Sequence, residues 1–139
     1  MSLQKILELY ELRLSLETYA VKRLTGKMDD AFFQSLDDLI AKQEIAVATK
    51  DIVRFVELDR RFHEAIIAGL NNGEYTEVMS RLHDKFLLAV RTTFYKNSDR
   101  LWGSLDEHKR IREALAGSDA ALSERLMAEH IQFVKKVML

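Results

Sequence analysis

Asp59 and His63 stand four residues apart in a segment whose other regularly spaced residues, Phe55, Phe62, Ile66 and Ile67, are apolar. On a helix that spacing puts both side chains on one face, one turn apart. His108 interrupts a second apolar series, Leu101, Leu105, Ile111 and Leu115, and His130 a third, Leu122, Leu126, Phe133, Val134 and Val137. Three of the four histidines and one aspartate therefore point at a core. A buried carboxylate without a partner costs several kcal/mol, and a buried imidazole must be hydrogen-bonded. A divalent cation meets both demands, because neutral imidazoles and a carboxylate are ligands for zinc, nickel, iron, cobalt or manganese. Asp59, His63, His108 and His130 are the candidate ligands. The competing reading is structural, with core histidines satisfied by ordinary hydrogen bonds and an i,i+4 contact along one helix. His83, beside Leu82 and followed by Asp84, reads as a stripe-edge residue and not as a ligand.

Two arginines are also placed oddly. Arg13 sits inside an apolar first segment, four residues before Glu17, and Arg91 lies near the end of the fourth segment. A guanidinium over a cavity binds a carboxylate bidentately. The bland alternative for each is a snorkelling surface arginine or a helix salt bridge.

The elements that must position these residues are all helices. Leu9, Leu12, Leu16, Tyr19, Ala20 and Leu24 recur at helical spacing in a first segment from about Leu3 to Thr25, and Gly26 is a left-handed stop. A second segment starts at Asp29 or Asp30 and runs to about Thr49. A third starts at the N-cap Asp51 and ends near Leu70, before the turn Asn71-Asn72-Gly73. The fourth spans Glu74 to about Lys96, the fifth about Leu101 to Ala116, and the sixth begins at Ser118 or Asp119. Nothing alternates with period two over a strand's length. Short connections imply antiparallel neighbours, so the expected fold is an all-α antiparallel bundle of about six helices. Leu7, Leu14, Phe86, Leu87 and Phe94 add apolar surface beyond one stripe on the first and fourth helices, which predicts a homodimer formed there.

Composition bounds the function. The 139 residues suit one domain. With no cysteine, disulfides and thiolate metal sites are excluded. No apolar run approaches a membrane span, and the composition fits a cytoplasmic protein. A net charge of −1 argues against a domain that grips DNA by itself. Enzyme chemistry lacks its usual marks. There is no His-Glu-x-x-His, and Glu107 and Glu129 directly precede His108 and His130 instead of standing three residues before them. A metal-dependent hydrolase or lyase, and a purely structural dimerisation bundle, are the rival classes.

Several stretches resemble one family. Glu8-Leu-Tyr-Glu-Leu-Arg-Leu-Ser-Leu-Glu17 followed by Ala20 resembles the first helix of the C-terminal effector domain, the FCD domain, of FadR-like GntR transcriptional regulators. Asp59-Arg-Arg-Phe-His63 with the later Asn72, then Glu107-His108 with Ile111 and Ala114-Leu-Ala-Gly-Ser-Asp119, then Met127-Ala-Glu-His130-Ile131, resemble three further motifs in order. The resemblance covers essentially the whole chain. It implies one ligand-sensing and dimerisation domain over residues 1–139. It implies a divalent transition metal, zinc first, on Asp59, His63, His108 and His130. It implies a small organic acid as effector near Arg13, with Arg91 and Asn72 as further contacts. Such regulators read DNA through an N-terminal winged helix-turn-helix that this sequence does not contain, so an excised fragment is favoured over a stand-alone sensor.

Overall fold

The structure is a computed structural model and describes residues 2–138. Six helices follow one another: α1 Leu3–Leu24, α2 Asp30–Ala48, α3 Ile52–Ala68, α4 Gly73–Lys96, α5 Arg100–Ala116 and α6 Ala120–Met138. The boundaries fall where side chains can satisfy the free N–H groups of a first turn. Ser2 accepts from Lys5 N, Asp29 from Phe32 N, Asp51 from Arg54 N, and Asp119 from Leu122 N. The α1 stop at Gly26 has φ +74°, and its N–H donates to Leu115 O at 3.0 Å. A Cβ there would meet the Gly117 carbonyl at 3.1 Å, so this turn needs glycine for both its dihedral and its close approach to the end of α5.

The helices close into a ring. Around it α1 packs on α6, α6 on α5, α5 on α2, α2 on α3 and α3 on α4, and α4 returns to α1. Sequence neighbours are therefore packing partners only for α2–α3, α3–α4 and α5–α6. The chain forms the expected all-α bundle of six helices; α1–α2 and α4–α5 are the two connections whose helices are not close packing partners, since α1 lies chiefly along α6 and α5 also along α2. Among the described residues no helix is long and apolar enough to cross a membrane.

Two apolar stripes are rotated from the expected ones. The buried face of α1 is Leu9, Arg13, Glu17, Ala20 and Leu24, with Tyr10 and Val21 beside it, while Leu12 and Tyr19 are exposed. The buried face of α6 is Ser123, Met127, His130, Ile131 and Val134, while Phe133 is exposed. Phe86 and Phe94, assigned above to a dimer surface, belong to the chain's own core: Phe86 packs on Tyr10 at 4.5 Å between ring centres, and Phe94 on Phe55 at 5.3 Å. The centre of the ring is where α3, α5 and α6 present their polar interruptions to one another.

Candidate metal centre

α3 presents Asp59 and His63 one turn apart, α5 presents His108 and α6 presents His130. One ligand atom from each lies within 4.8 Å of the other three. The imidazoles are essentially fully buried, and the Asp59 side chain is 14% exposed. Asp59 Oδ1 stands 3.0 Å from His108 Nε2 and 3.4 Å from His63 Nε2, and His63 Nε2 stands 3.3 Å from His130 Nε2. Phe62 stacks on the His108 ring at 4.4 Å and forms an apolar wall.

What aims these four atoms is an outer set of acceptors. His63 Nδ1 is hydrogen-bonded to Glu17 Oε1 from α1, His108 Nδ1 to Gln43 Oε1 from α2 at 2.7 Å, and His130 Nδ1 to Glu107 Oε1 from α5. Each acceptor holds the proton on Nδ1, so each neutral ring turns its Nε2 lone pair inward. Two of the acceptors are themselves held by buried arginines. Arg13 Nε donates to Glu17 Oε2 at 2.6 Å, and Arg100 grips Glu107 with both terminal nitrogens at 2.8 and 2.5 Å. The buried His108 Nε2 has no hydrogen-bond partner within the chain. Three inward lone pairs and a carboxylate oxygen repel one another unless something positive sits among them, and three N donors with one O donor suit a divalent transition ion.

The electrostatics agree. Burial raises the Asp59 carboxyl, but the His108 and His63 rings beside it bring it well below its ordinary range. Burial disfavours a charged Glu17, yet His63 and Arg13 together hold it ionised far below that range. Burial likewise opposes Glu107, and Arg100 with His130 lowers it to about 2. Burial would lower His63, but Glu17 outweighs it and raises the ring to about 9. Burial takes His130 down to about 3, with the charges of His108 and His63 adding to the fall, and burial lowers His108 as well. Without an ion, His63 is the ring of the three that most favours its charged form, because Glu17 stands against it.

The sequence pointed to other residues with mixed outcomes. Arg13 is 3% exposed, so it is no surface salt bridge, and its partner Glu17 lies on the buried stripe. Arg13 also lines a cavity of about 20 Å³ beside Asp59, together with Val56, Arg60, His83, Phe86, Leu87 and Val90. Arg91 follows Val90 on α4, with its Nε buried and without a hydrogen-bond partner. Asn72 does not join them; it lies exposed at the start of α4, where its side chain accepts from Glu74 N at 3.0 Å. His83, read above as a stripe edge, is 8% exposed with Nδ1 on Glu64 and a buried, unpartnered Nε2. The sequence reading missed Glu17, Gln43, Arg60 and Arg100 as neighbours of the site. Only Glu17 had a usable signal, its place in the series Leu9, Arg13, Glu17, Ala20, Leu24.

Comparison with known proteins places the chain in a family. The chain is 25% identical over 123 residues to the gluconate operon transcriptional repressor of Bacillus subtilis, covering 86% of this chain and 51% of that protein. It is 23% identical over 136 residues to the repressor of the same name from Bacillus licheniformis, covering 95% and 56%. The chain thus spans about half the length of these curated relatives, which are transcriptional regulators and not enzymes. The solved structure of Escherichia coli McbR/YncC shares the fold with a TM-score of 0.88 at 19% identity, covering 99% of this chain and 69% of that one. The FCD domain model matches residues 8–133, almost the whole helical ring, and the chain belongs to the FCD domain family of GntR-type regulators.

Proposed function

We propose that this domain senses a small monocarboxylate through a divalent cation held by Asp59, His63, His108 and His130, with zinc the first choice of ion. The observation that carries the reading is the convergence of three Nε2 atoms, each fixed by an Nδ1 hydrogen bond to a different helix. When bound, the ion supplies a Lewis-acid position that an oxygen ligand can share. The charges define that ligand. Asp59, Glu17 and Glu107 stand against Arg13 and Arg100, leaving one net negative charge around three neutral imidazoles. A divalent ion turns this to one net positive charge, which a monoanion neutralises.

The approach is the cavity beside Asp59, where Arg13 and Arg60 face the site and Arg91 stands next to the lining residue Val90. At about 20 Å³ the cavity holds roughly one water. An organic acid therefore has to displace the half-buried Leu87 and Arg60, and that movement of α4 against α1 is the signal. A tenfold preference for the opened arrangement corresponds to about 1.4 kcal/mol of coupling. Asn72, committed to its helix cap, has no part in this scheme. In the whole regulator, DNA is read by a separate N-terminal domain, and two copies of this domain associate through α1 and α4. With Phe86 and Phe94 buried, the contacts fall to the exposed Leu12 and Tyr19 of α1 and Leu88 and Tyr95 of α4.

The relatives' name, gluconate operon repressor, makes a sugar acid the first ligand to try. Calorimetry would compare gluconate, lactate, citrate and neutral glucose on metal-loaded and chelator-treated protein. The reading expects a monocarboxylate to bind the loaded form only and glucose to bind neither. Equal binding without metal, or no binding by any of the acids, overturns it.

A further inference from the structure

The three outer arms of the metal centre are not equally sealed. His63 and Glu17 are each 0% exposed, and so are His108 and Gln43. The third arm is open: the Glu107 side chain is 24% exposed, and together with His130 it lines a groove of about 190 Å³ between α5 and α6. A single water needs ~10–15 Å³ of such space. The cavity beside Asp59, at about 20 Å³, admits about one water, whereas the α5–α6 groove has room for an imidazole ring to swing into it.

Energetics point the same way. Turning His63 or His108 away would drive the ring toward Phe62, which contacts both. It would also leave the buried Glu17 charge or the Gln43 amide without its hydrogen-bond partner. Turning His130 breaks its Nδ1 bond to Glu107 and its Nε2 contact with His63, and the Glu107 carboxylate reaches solvent and keeps both bonds to Arg100. The Arg100 guanidinium lies 4.4 Å over the ring of Phe133, itself a wall of the groove.

We propose that His130 is the exchange ligand of the centre, the one that opens the site to solvent through the α5–α6 groove. The Arg100–Glu107 pair is the latch that sets the rate. This rests on the reading that the four residues hold a cation, and it adds which ligand moves and which side admits the ion. Asp59, His63 and His108 stay in place while His130 leaves and returns.

The test is cobalt exchange. Protein freed of metal is loaded with Co²⁺, its visible absorption is recorded, and release into excess chelator is followed by stopped flow. Glu107→Gln keeps an oxygen acceptor for His130 but loses one of the two bonds to Arg100, and Arg100→Met removes the grip from the other end. Both should speed release by roughly tenfold or more, the lower end of what outer partners contribute to metal binding. They should also speed uptake, so that the equilibrium constant moves less than either rate. Leu126→Trp, at a half-buried position on the groove wall, should slow uptake and release together while the absorption band is unchanged. Rates that ignore all three substitutions overturn the proposal. So does slowing by Leu87→Trp, on the Asp59 side, without slowing by Leu126→Trp. If the parent protein takes up no Co²⁺ at all, the metal reading itself has failed, an outcome distinct from an unaltered exchange rate.

Discussion

Replacing Arg13 with methionine strands a charge in the middle of the ring. The arginine is 3% exposed, its Nε holds Glu17 Oε2 at 2.6 Å, and the other Glu17 oxygen takes the His63 Nδ1 proton. Removing one partner of a buried pair costs ~3–5 kcal/mol, because the remaining charge is uncompensated. His63, raised to about 9, stays protonated and offsets part of this, which puts the cost near the lower end. For 139 residues at ~2.1 cal/mol/K of unfolding entropy each, the total is ~0.29 kcal/mol/K, so ~3 kcal/mol lowers Tm by ~10 °C. Glu17→Gln strands Arg13 and should cost a similar amount. The double variant Arg13→Met/Glu17→Leu removes both charges and leaves only the His63 N–H without an acceptor, at ~1–3 kcal/mol. The double should therefore melt above either single, a coupling that a double-mutant cycle on metal-free protein reads directly. Single variants within ~2 °C of the parent, or a double that simply sums their losses, would refute the claim that this pair is a buried unit.

Other expectations follow from the same geometry. Chelation should lower Tm of the metal-loaded protein by ~10 °C for an ion present at ~100 times its Kd, since ~2.7 kcal/mol of linkage is withdrawn; calorimetric melts with and without chelator check this. Metal-free protein should be most stable near neutral pH. His108 and His130 are buried neutral with lowered pKa, so unfolding takes up protons below ~6.5 and stability falls toward acid; His63, raised to about 9, contributes fully below ~6.5 and loses that contribution as pH rises through 9. Melts from pH 4 to 10 that rise monotonically would contradict the His63 assignment. Light scattering at micromolar concentration should give a dimer, and Leu88→Glu at the 77%-exposed α4 position should shift it to monomer without changing metal content.

The candidate ligands on α3 and α5 were legible because each of those helices carries one apolar series, and a polar residue in register with it faces inward; on α6 the buried face is rotated from the expected series, and His130 lies where the two overlap. In α1 two series compete. The leucines at 12 and 16 look like the core face, yet the buried face runs through Arg13 and Glu17, because those two charges neutralise each other and His63. A sequence read residue by residue penalises each charge separately. Gln43 was illegible for a different reason: it is flanked by Lys42 and Glu44, and its partner His108 lies on a helix that only the closed ring brings near. Helix α4 is apolar on more than one side, so nothing local says that Phe86 and Phe94 turn inward while Leu88 and Tyr95 turn out. Helix pairing escaped for the same cause, since a short loop limits where the next helix starts and not which face it buries.

Metal content tests the central claim most directly. Protein purified without chelator or immobilised nickel, then dialysed, would be analysed by elemental mass spectrometry beside Asp59→Asn and His108→Ala, each melted in the metal-free state to show that it folds. The account predicts about one equivalent of a divalent transition metal per chain in the parent and a large loss in both variants. A parent chain that holds no stoichiometric metal, even after incubation with zinc, nickel, manganese, iron or cobalt, would contradict it.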